Sequence, residues 1–342
     1  MSAAKLSIIV PVSNSSQYII SFLDSIIFQS TDDIEVILVD DRSTDGSMAK
    51  AVKYLADYNG RKVFRFAQDS VGGGVNATRN DALDLATGDY ICVLDSNDIL
   101  EPEFCESVYN AARRHKADIC AYSYRTEIMG KGESRRKKAP ALSNGIMSEE
   151  GHRKLLSRYS DHIRHYAFSR KFICDSMIRF PDTGMSEDSC FLICAILKSQ
   201  RFAKLRKALY RHRVLADDAS GIDAGGRFRQ RTASFDTIMN FAKRNSLYDT
   251  YKEELDYIYL RDAFLTSAFV YAGSADARTY VLEDMYSNFS STYPDYRSNR
   301  HYRCSPKMRY PMWLIRKYPK MAIKYIRRSL EKNSSIAQII GK

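Results

Sequence analysis

Five short stretches gather the residues able to do chemistry. "YICVLDSNDIL" (90–100) drives an apolar run into Asp95, Ser96, Asn97 and Asp98. Carboxylates at the end of a buried strand suit a divalent cation or a phosphate site. Asn97 weakens that set, because its amide oxygen brings no charge and Mn2+ and Mg2+ favour carboxylates. Asp98, ahead of "ILEPE", is also a helix-start residue. "VILVDDRSTDGS" (36–47) ends a second apolar run in Asp40 and Asp41 before a turn rich in Ser, Thr, Asp and Gly. One carboxylate there can accept the N–H of a uracil ring, whereas Asp40 or Asp45 can simply cap the turn. "SVGGGVNATRN" (70–80) sets glycines directly before a helix, an arrangement that admits a diphosphate at the helix N-terminus. "TGMSEDSCFLICAIL" (183–197) places Glu187 and Asp188 after a glycine loop, where an acid can cap the helix that follows. "LYRHRVLADDASG" (209–221) ends a strand-like run in basic residues.

These stretches need a scaffold, and the alternation of strand and helix supplies one. "LSIIVPV", "IEVILVDD", "KVFRFAQ" and "DYICVLD" read as strands. "SQYIISFLDSIIFQS", "TDGSMAKAVKYLADY" and "VNATRNDALDLATG" read as the helices between them, the first with Tyr18, Phe22, Ile26 and Ile27 on one face. Such alternation predicts an α/β fold with a mostly parallel sheet and helices on both faces. Ligands of such sheets lie beyond the carboxyl ends of the strands, where Pro11–Ser13, Asp40–Asp41 and Asp95–Asp98 all fall. Further on, "PEFCESVYNAARRHK" is a helix and "ADICAYSYRTE" a strand. "MGKGESRRKKAPALSNG" reads as a polar, basic, mobile loop and "AKLRKALYRHRV" as a strand. From about Gly226 the pattern is helical. The expected division is 1–225, the α/β part; 226–295, a helical region; and 296–342, a basic, aromatic, amphipathic tail.

At these motifs the chain resembles family 2 glycosyltransferases, the inverting enzymes of the GT-A (Rossmann-like) fold. "SIIVPVSN" with Tyr18, "VILVDDRSTDGS", "GVNATRNDALDLATGDYI" and "LDSND" follow in order, and "MSEDSCF" resembles the family's later Glu-Asp motif. The resemblance spans residues 5–215. It implies a nucleotide-sugar donor, UDP-linked, held by Pro11, Val12, Ser13, Asp40, Asp41, Gly74, Arg79, Asp95 and Ser96. It puts His212, Arg213 and Ser220 at the diphosphate and a divalent cation, Mn2+ or Mg2+, at Asp95 and Asn97, with the adjacent Asp98 able to donate instead. It makes Asp188 the base that deprotonates the acceptor hydroxyl, with Glu187 in support. The expected reaction is transfer to a glycan or lipid-linked acceptor in cell-surface polysaccharide synthesis. Transfer to a polyprenyl phosphate, or a non-catalytic GT-A binding domain, are the alternatives.

Composition sets the remaining bounds. The 342 residues are 44% hydrophobic and 27% charged, enough for a sizeable core. The seven cysteines are scattered without CxxC pairs, which predicts buried, reduced thiols in a cytoplasmic protein. No apolar run approaches the roughly 20 residues of a membrane span, and the first run is too short for a signal peptide. Of the net charge of +11, residues 296–342 hold more than all, with 13 Lys/Arg against Glu331 alone. Their interleaved Trp313, Leu314, Ile315, Met321, Ile323, Tyr325 and Ile326 predict peripheral attachment to an anionic membrane surface, ahead of packing on the protein itself. Nucleic acid is not expected as a partner, and a homo-oligomer stays open.

Overall fold

The computed structural model of the chain describes residues 4–68, 75–129, 133–159, 162–214 and 224–331. They form two compact units built from interleaved segments. Met1–His152, His162–Asp182 and Ala195–Ala219 make the first; Arg153–Asp161, Thr183–Cys194 and Ser220–Lys342 make the second.

The first unit opens with β1 (Leu6–Val12), α1 (Ile19–Ile27), β2 (Ile34–Asp40), α2 (Ser47–Leu55), β3 (Val63–Gln68), α3 (Val75–Leu85) and β4 (Tyr90–Val93). β1 and β2 are buried nearly throughout, as strands covered on both faces must be. α1 turns Ile19, Phe22, Leu23 and Ile26 inward, and leaves Tyr18 and Ile27 half-buried. Next come β5 (Ile99–Leu100), α4 (Phe104–Arg114), β6 (Ile119–Ile128), β7 (Glu133–Lys137), β8 (Gly145–Ile146), α5 (Glu149–Arg158), β9 (Tyr166–Ser169), α6 (Arg170–Asp175), α7 (Glu187–Lys198) and β10 (Arg201–Val214), with α5 from Arg153 on and α7 up to Cys194 belonging to the second unit.

The strands form one sheet in the order β3-β2-β1-β4-β9-β6-β10-β5, with β7 on β6 and β8 on β10. β3, β2, β1 and β4 run parallel, as do β6 and β10. β9 enters antiparallel between β4 and β6. The chain winds outward from β1 to β3 and then crosses back to β4, so the switch point for ligands lies at the carboxyl ends of β1 and β4.

The expected basic loop after residue 128 is corrected in part. Glu133–Lys137 pairs antiparallel with Tyr124–Ile128 as β7. The side chains of Ser134–Lys137 are polar and exposed, so it carries no apolar alternation, yet its backbone completes the ladder of β6. Charged residues on an edge strand of this kind discourage further pairing. Five cysteines are buried as expected, whereas Cys174 and Cys304 are exposed; all seven are free thiols.

The second unit adds α8 (Ala224–Arg244), α9 (Tyr248–Ile258), a π-helical turn (Tyr259–Leu265) and α10 (Thr266–Gly273). It continues with α11 (Thr279–Thr292), α12 (Arg300–Arg303), α13 (Pro306–Lys317) and α14 (Pro319–Glu331). Aromatic rings fill its interior: Phe264 stacks on Phe289 at 4.7 Å, and Tyr259 meets Tyr293 at 4.7 Å. Met308, Met312, Leu314, Ile315, Ala322 and Ile326 of the basic tail are buried here, while Tyr310, Trp313, Tyr318 and Met321 are exposed. Among the described residues, no helix is long and apolar enough to cross a membrane.

Candidate active site

The rim of the first unit begins where β1 and β2 end together. Asp41 donates its backbone N–H to the Val12 carbonyl (2.8 Å), and so does the Ser43 hydroxyl (3.0 Å). Asp40 accepts from the Ser43 N–H at 3.2 Å, so one of its oxygens holds the turn. Asn14, at a positive φ of 42°, accepts from the Thr44 N–H and ties the loop after β1 to the loop after β2. Asp45 accepts from the Ser47 N–H and hydroxyl and from the Ser16 N–H. The Ser47 hydroxyl above all holds its carboxyl well below the ordinary range, as a turn-capping acid requires. Asp41, at the same edge, is half-buried. Burial pushes its carboxyl up, while the nearby guanidinium of Arg79 pulls it back. Arg79 stands on α3 with its guanidinium 5.5 Å from the Phe180 ring, and Asn80 exchanges two hydrogen bonds of 2.9 Å with the Phe180 backbone. Pro11 is half-buried, Val12 buried and Ser13 exposed at this edge. Gly74 and Ser220, both expected at the nucleotide, lie outside the described residues.

The acidic corner follows β4. The Leu94 N–H still pairs with the Ile9 carbonyl at 2.9 Å, and the chain then turns through Asp95–Asp98 into β5. β5 lies antiparallel on β10, with Leu100 opposite Tyr210 and Ile99 opposite Arg211. That pairing brings the "LDSND" turn against residues more than a hundred positions later. Asp98 is fully buried and is not the cap of the next helix, whose N-cap is Glu103. It accepts instead from the Tyr210 hydroxyl and the Arg213 N–H (2.8 Å), and its Oδ1 lies 3.1 Å from His212 Nδ1. Burial pushes the Asp98 carboxyl up to about 7 against the pull of those donors. Asp95, nearer the surface, forms an ion pair with Arg164. Ser96 is buried and Asn97 half-buried beside them.

Asp95, Asp98 and His212 each point one ligand atom into a space where these atoms lie within 4.8 Å of one another. Two carboxylates and an imidazole make a donor set that fits a divalent cation. The set joins His212, which the sequence placed at the diphosphate, to Asp95 and Asp98. Arg213 directs its guanidinium to the Ser21 hydroxyl (3.0 Å).

Sequence reasoning missed the turn at Ile163–His165. Arg164 reaches both Asp95 and His162 Nδ1, the latter at 3.0 Å. His162 lies 6.2 Å from the His212 ring, and His165 stacks on Tyr124 at 3.4 Å. The Tyr122 hydroxyl donates to the Arg164 carbonyl and fixes the turn. Burial drives the His165 imidazole well below its ordinary pKa, so it is neutral. The signal in the sequence was the run "HIRH", two histidines around an arginine, with no periodicity to mark it.

Glu187 and Asp188 belong to the second unit, in the first turn of α7. The loop before them is tightly specified. Gly184 has φ +80° and Ser186 φ 60°, and a Cβ at Gly184 would stand 2.8 Å from the Gln230 side chain. The Ser234 hydroxyl contacts Thr183 Oγ1 and donates to the Met185 carbonyl, and α7 begins as the Cys190 N–H reaches the Ser186 carbonyl at 3.0 Å.

Comparison with known proteins identifies the family and the fold. The model of the family "Glycosyl transferase family 2" matches residues 7–177. The chain is 26% identical over 263 residues to the putative glycosyltransferase EpsH of Bacillus subtilis, covering 75% of this chain and 74% of that one. It is 38% identical over 117 residues to the poly(ribitol-phosphate) beta-glucosyltransferase of Bacillus spizizenii, covering 34% of this chain and 18% of that one. Among solved structures, residues 1–349 of S. aureus TarS in complex with UDP superpose with a TM-score of 0.68 at 20% identity. That match covers 96% of this chain and 92% of the other. The same fragment with UDP-GlcNAc gives 0.64 at 18% identity. The fold is thus the GT-A fold.

Proposed function

The chain belongs to glycosyl transferase family 2 and is a glycosyltransferase; we propose that it moves a sugar from a UDP-linked donor to a hydroxyl of a glycan or lipid-linked acceptor, with inversion, in cell-surface polysaccharide synthesis. The observation that carries the reading is the corner of Asp95, Asp98 and His212 beside the Asp41 rim, at the switch point of the sheet. Asp41 accepts the imide N–H of uracil, and Arg79 adds a positive charge next to it. A divalent cation held by Asp95, Asp98 and His212 would take up charge growing on the diphosphate as the bond to the sugar breaks. Asp188 accepts the proton of the attacking hydroxyl while the new bond to the anomeric carbon forms from the face opposite the leaving group. Support for UDP comes from the TarS fragment, which binds UDP and UDP-GlcNAc in its crystals.

The test is transfer and donor binding measured side by side. Asp188→Asn is expected to lose roughly 10²–10⁴-fold in transfer rate, the usual worth of a general base. Its melting temperature should still rise with UDP-sugar and Mn2+, since a ligand stabilises the fold it binds. Full transfer by the variant would remove Asp188 from the mechanism.

A further inference from the structure

A second concave site lies within the second unit and uses none of the motifs described above. It is a cavity of about 1040 Å³ between α12, α13 and the turn before them. Arg297, Arg303, Arg309 and Arg316 line it together with Tyr310 and Trp313. No acid lines it. Arg300, also on the wall, is paired with Glu253 and Glu254, but among the described residues no carboxylate pairs with the other four arginines. Their field converges. Burial raises the Tyr302 hydroxyl pKa, while Arg297, Arg309 and Arg316 all pull it down.

The aromatic wall is held in place. Trp313 and Tyr310 are 48% and 49% exposed and stack at 6.0 Å with 24° between their planes. Tyr325 meets Tyr310 edge-on at 5.0 Å, and Tyr318 meets Trp313 at 5.2 Å. Tyr302 packs against Tyr296 beneath, and Asn299 caps α12 by accepting from the His301 and Tyr302 N–H groups. Exposed rings fixed in this way offer flat faces at little entropic cost.

We propose that this groove is a binding site for an anionic glycan, whose phosphate or carboxylate groups pair with Arg303, Arg309 and Arg316 while its ring faces lie on Tyr310 and Trp313. Guanidinium forks match the paired oxygens of phosphate and carboxylate, and a cluster free of acids binds them without competition. The apolar C–H face of a sugar or polyol suits an aromatic ring, and the cavity is large enough for more than one such unit. A bilayer is a poorer match for charges set in a concavity, although the exposed Tyr318 and Met321 leave lipid as the rival occupant. The role of the groove, holding an acidic acceptor chain, rests on the proposed transfer to glycans; the binding itself does not.

Trp313 is the chain's one tryptophan, so its emission reports on this groove alone. The full chain is titrated with glycerol-phosphate oligomers, oligogalacturonate and neutral dextran, and is floated with phosphatidylglycerol vesicles. A saturable emission change with at least one anionic oligomer is expected, absent with dextran and weakening as salt rises. Arg309→Ala/Arg316→Ala should weaken it about tenfold or more, the equivalent of about 1.4 kcal/mol. Arg309→Lys/Arg316→Lys, which keeps charge but loses the fork, should recover only part. Both side chains are exposed, and an unchanged melting-temperature rise with UDP-sugar shows that the variants fold. No response to either oligomer, an equal response to dextran, an undiminished response in the alanine variant, or tighter capture by vesicles than by the oligomers would each overturn the assignment. Phosphate and carboxylate sources are told apart by which oligomer binds.

Discussion

Asp98 sits where a single atom matters. Both of its oxygens are engaged from β10, by the Tyr210 hydroxyl, the Arg213 N–H and His212, and none of its surface meets solvent. Asp98→Asn keeps the volume but turns one acceptor into a donor that faces another donor. The expected cost is about 1–3 kcal/mol of stability, the penalty for a buried polar group left unmatched. Loss of the Mn2+-dependent rise in melting temperature should accompany it. An unchanged metal response would exclude Asp98 from the cation corner. Arg164 poses the opposite case, because its charge already occupies the Asp95 carboxylate. A cation at the same corner is repelled by the guanidinium. Arg164→Ala should therefore raise Mn2+ affinity several-fold, read as a lower half-saturation in a melting titration, and a weaker Mn2+ response would contradict this account. Neither behaviour could be read from "LDSND" alone. Asp95 and the acid pair of β2 were legible because a polar cluster after an apolar run is a local pattern. His212 and Arg164 join them only through the pairing of β5 with β10 and a turn before β9, which no local pattern announces.

Elements in the first unit are tied by a buried acid on β2. Glu35, 1% exposed, accepts from the Ser7 hydroxyl of β1 and from Thr87 and Gly88, which lead into β4. Burial alone would raise its pKa, but the hydrogen bonds from Ser7, Thr87 and Gly88 outweigh it and hold the carboxyl below the ordinary value. A depressed folded-state pKa gives stability that is complete above the unfolded value of about 4.3 and is lost as pH falls through the folded one. Wild-type protein should thus lose stability below about pH 4, and Glu35→Gln should flatten that part of the profile. The same variant should be destabilised by about 1–3 kcal/mol at neutral pH. A wild-type slope left intact in the variant would assign the acid sensitivity elsewhere. Gly88 belongs to the same knot, since a Cβ there would stand 2.7 Å from the Ser7 backbone nitrogen. The order of strands and helices to β4 was readable because each apolar run matches one buried element. β7 was not, because an edge strand with two wet faces needs only a neighbour's backbone, and sequence periodicity records side chains.

At the scale of the whole molecule, the basic tail is the feature whose meaning changes most. Its charge suggested a segment reaching for a surface, yet α13 and α14 pack on each other and on α10 and α11. The apolar residues divide into two sets. Leu314, Ile315 and Ile326 are at most 1% exposed and belong to the core of the second unit, whereas Trp313 and Met321 stand outside it. Charge could not show this division, because Lys and Arg occupy the solvated faces of packed helices and of ligand sites alike. The two functions are separable by substitution. Leu314→Ala removes buried methyl groups and should cost about 2–5 kcal/mol, with a lower melting temperature for the second unit. Arg309→Ala/Arg316→Ala touches only exposed charge and should leave melting within about 0.5 kcal/mol of wild type. Deleting residues 296–342 would remove core and surface together, so loss of anion binding in that truncation proves nothing about the groove. If Leu314→Ala melted like wild type while the arginine variant unfolded early, the tail would be an appendage rather than part of the fold.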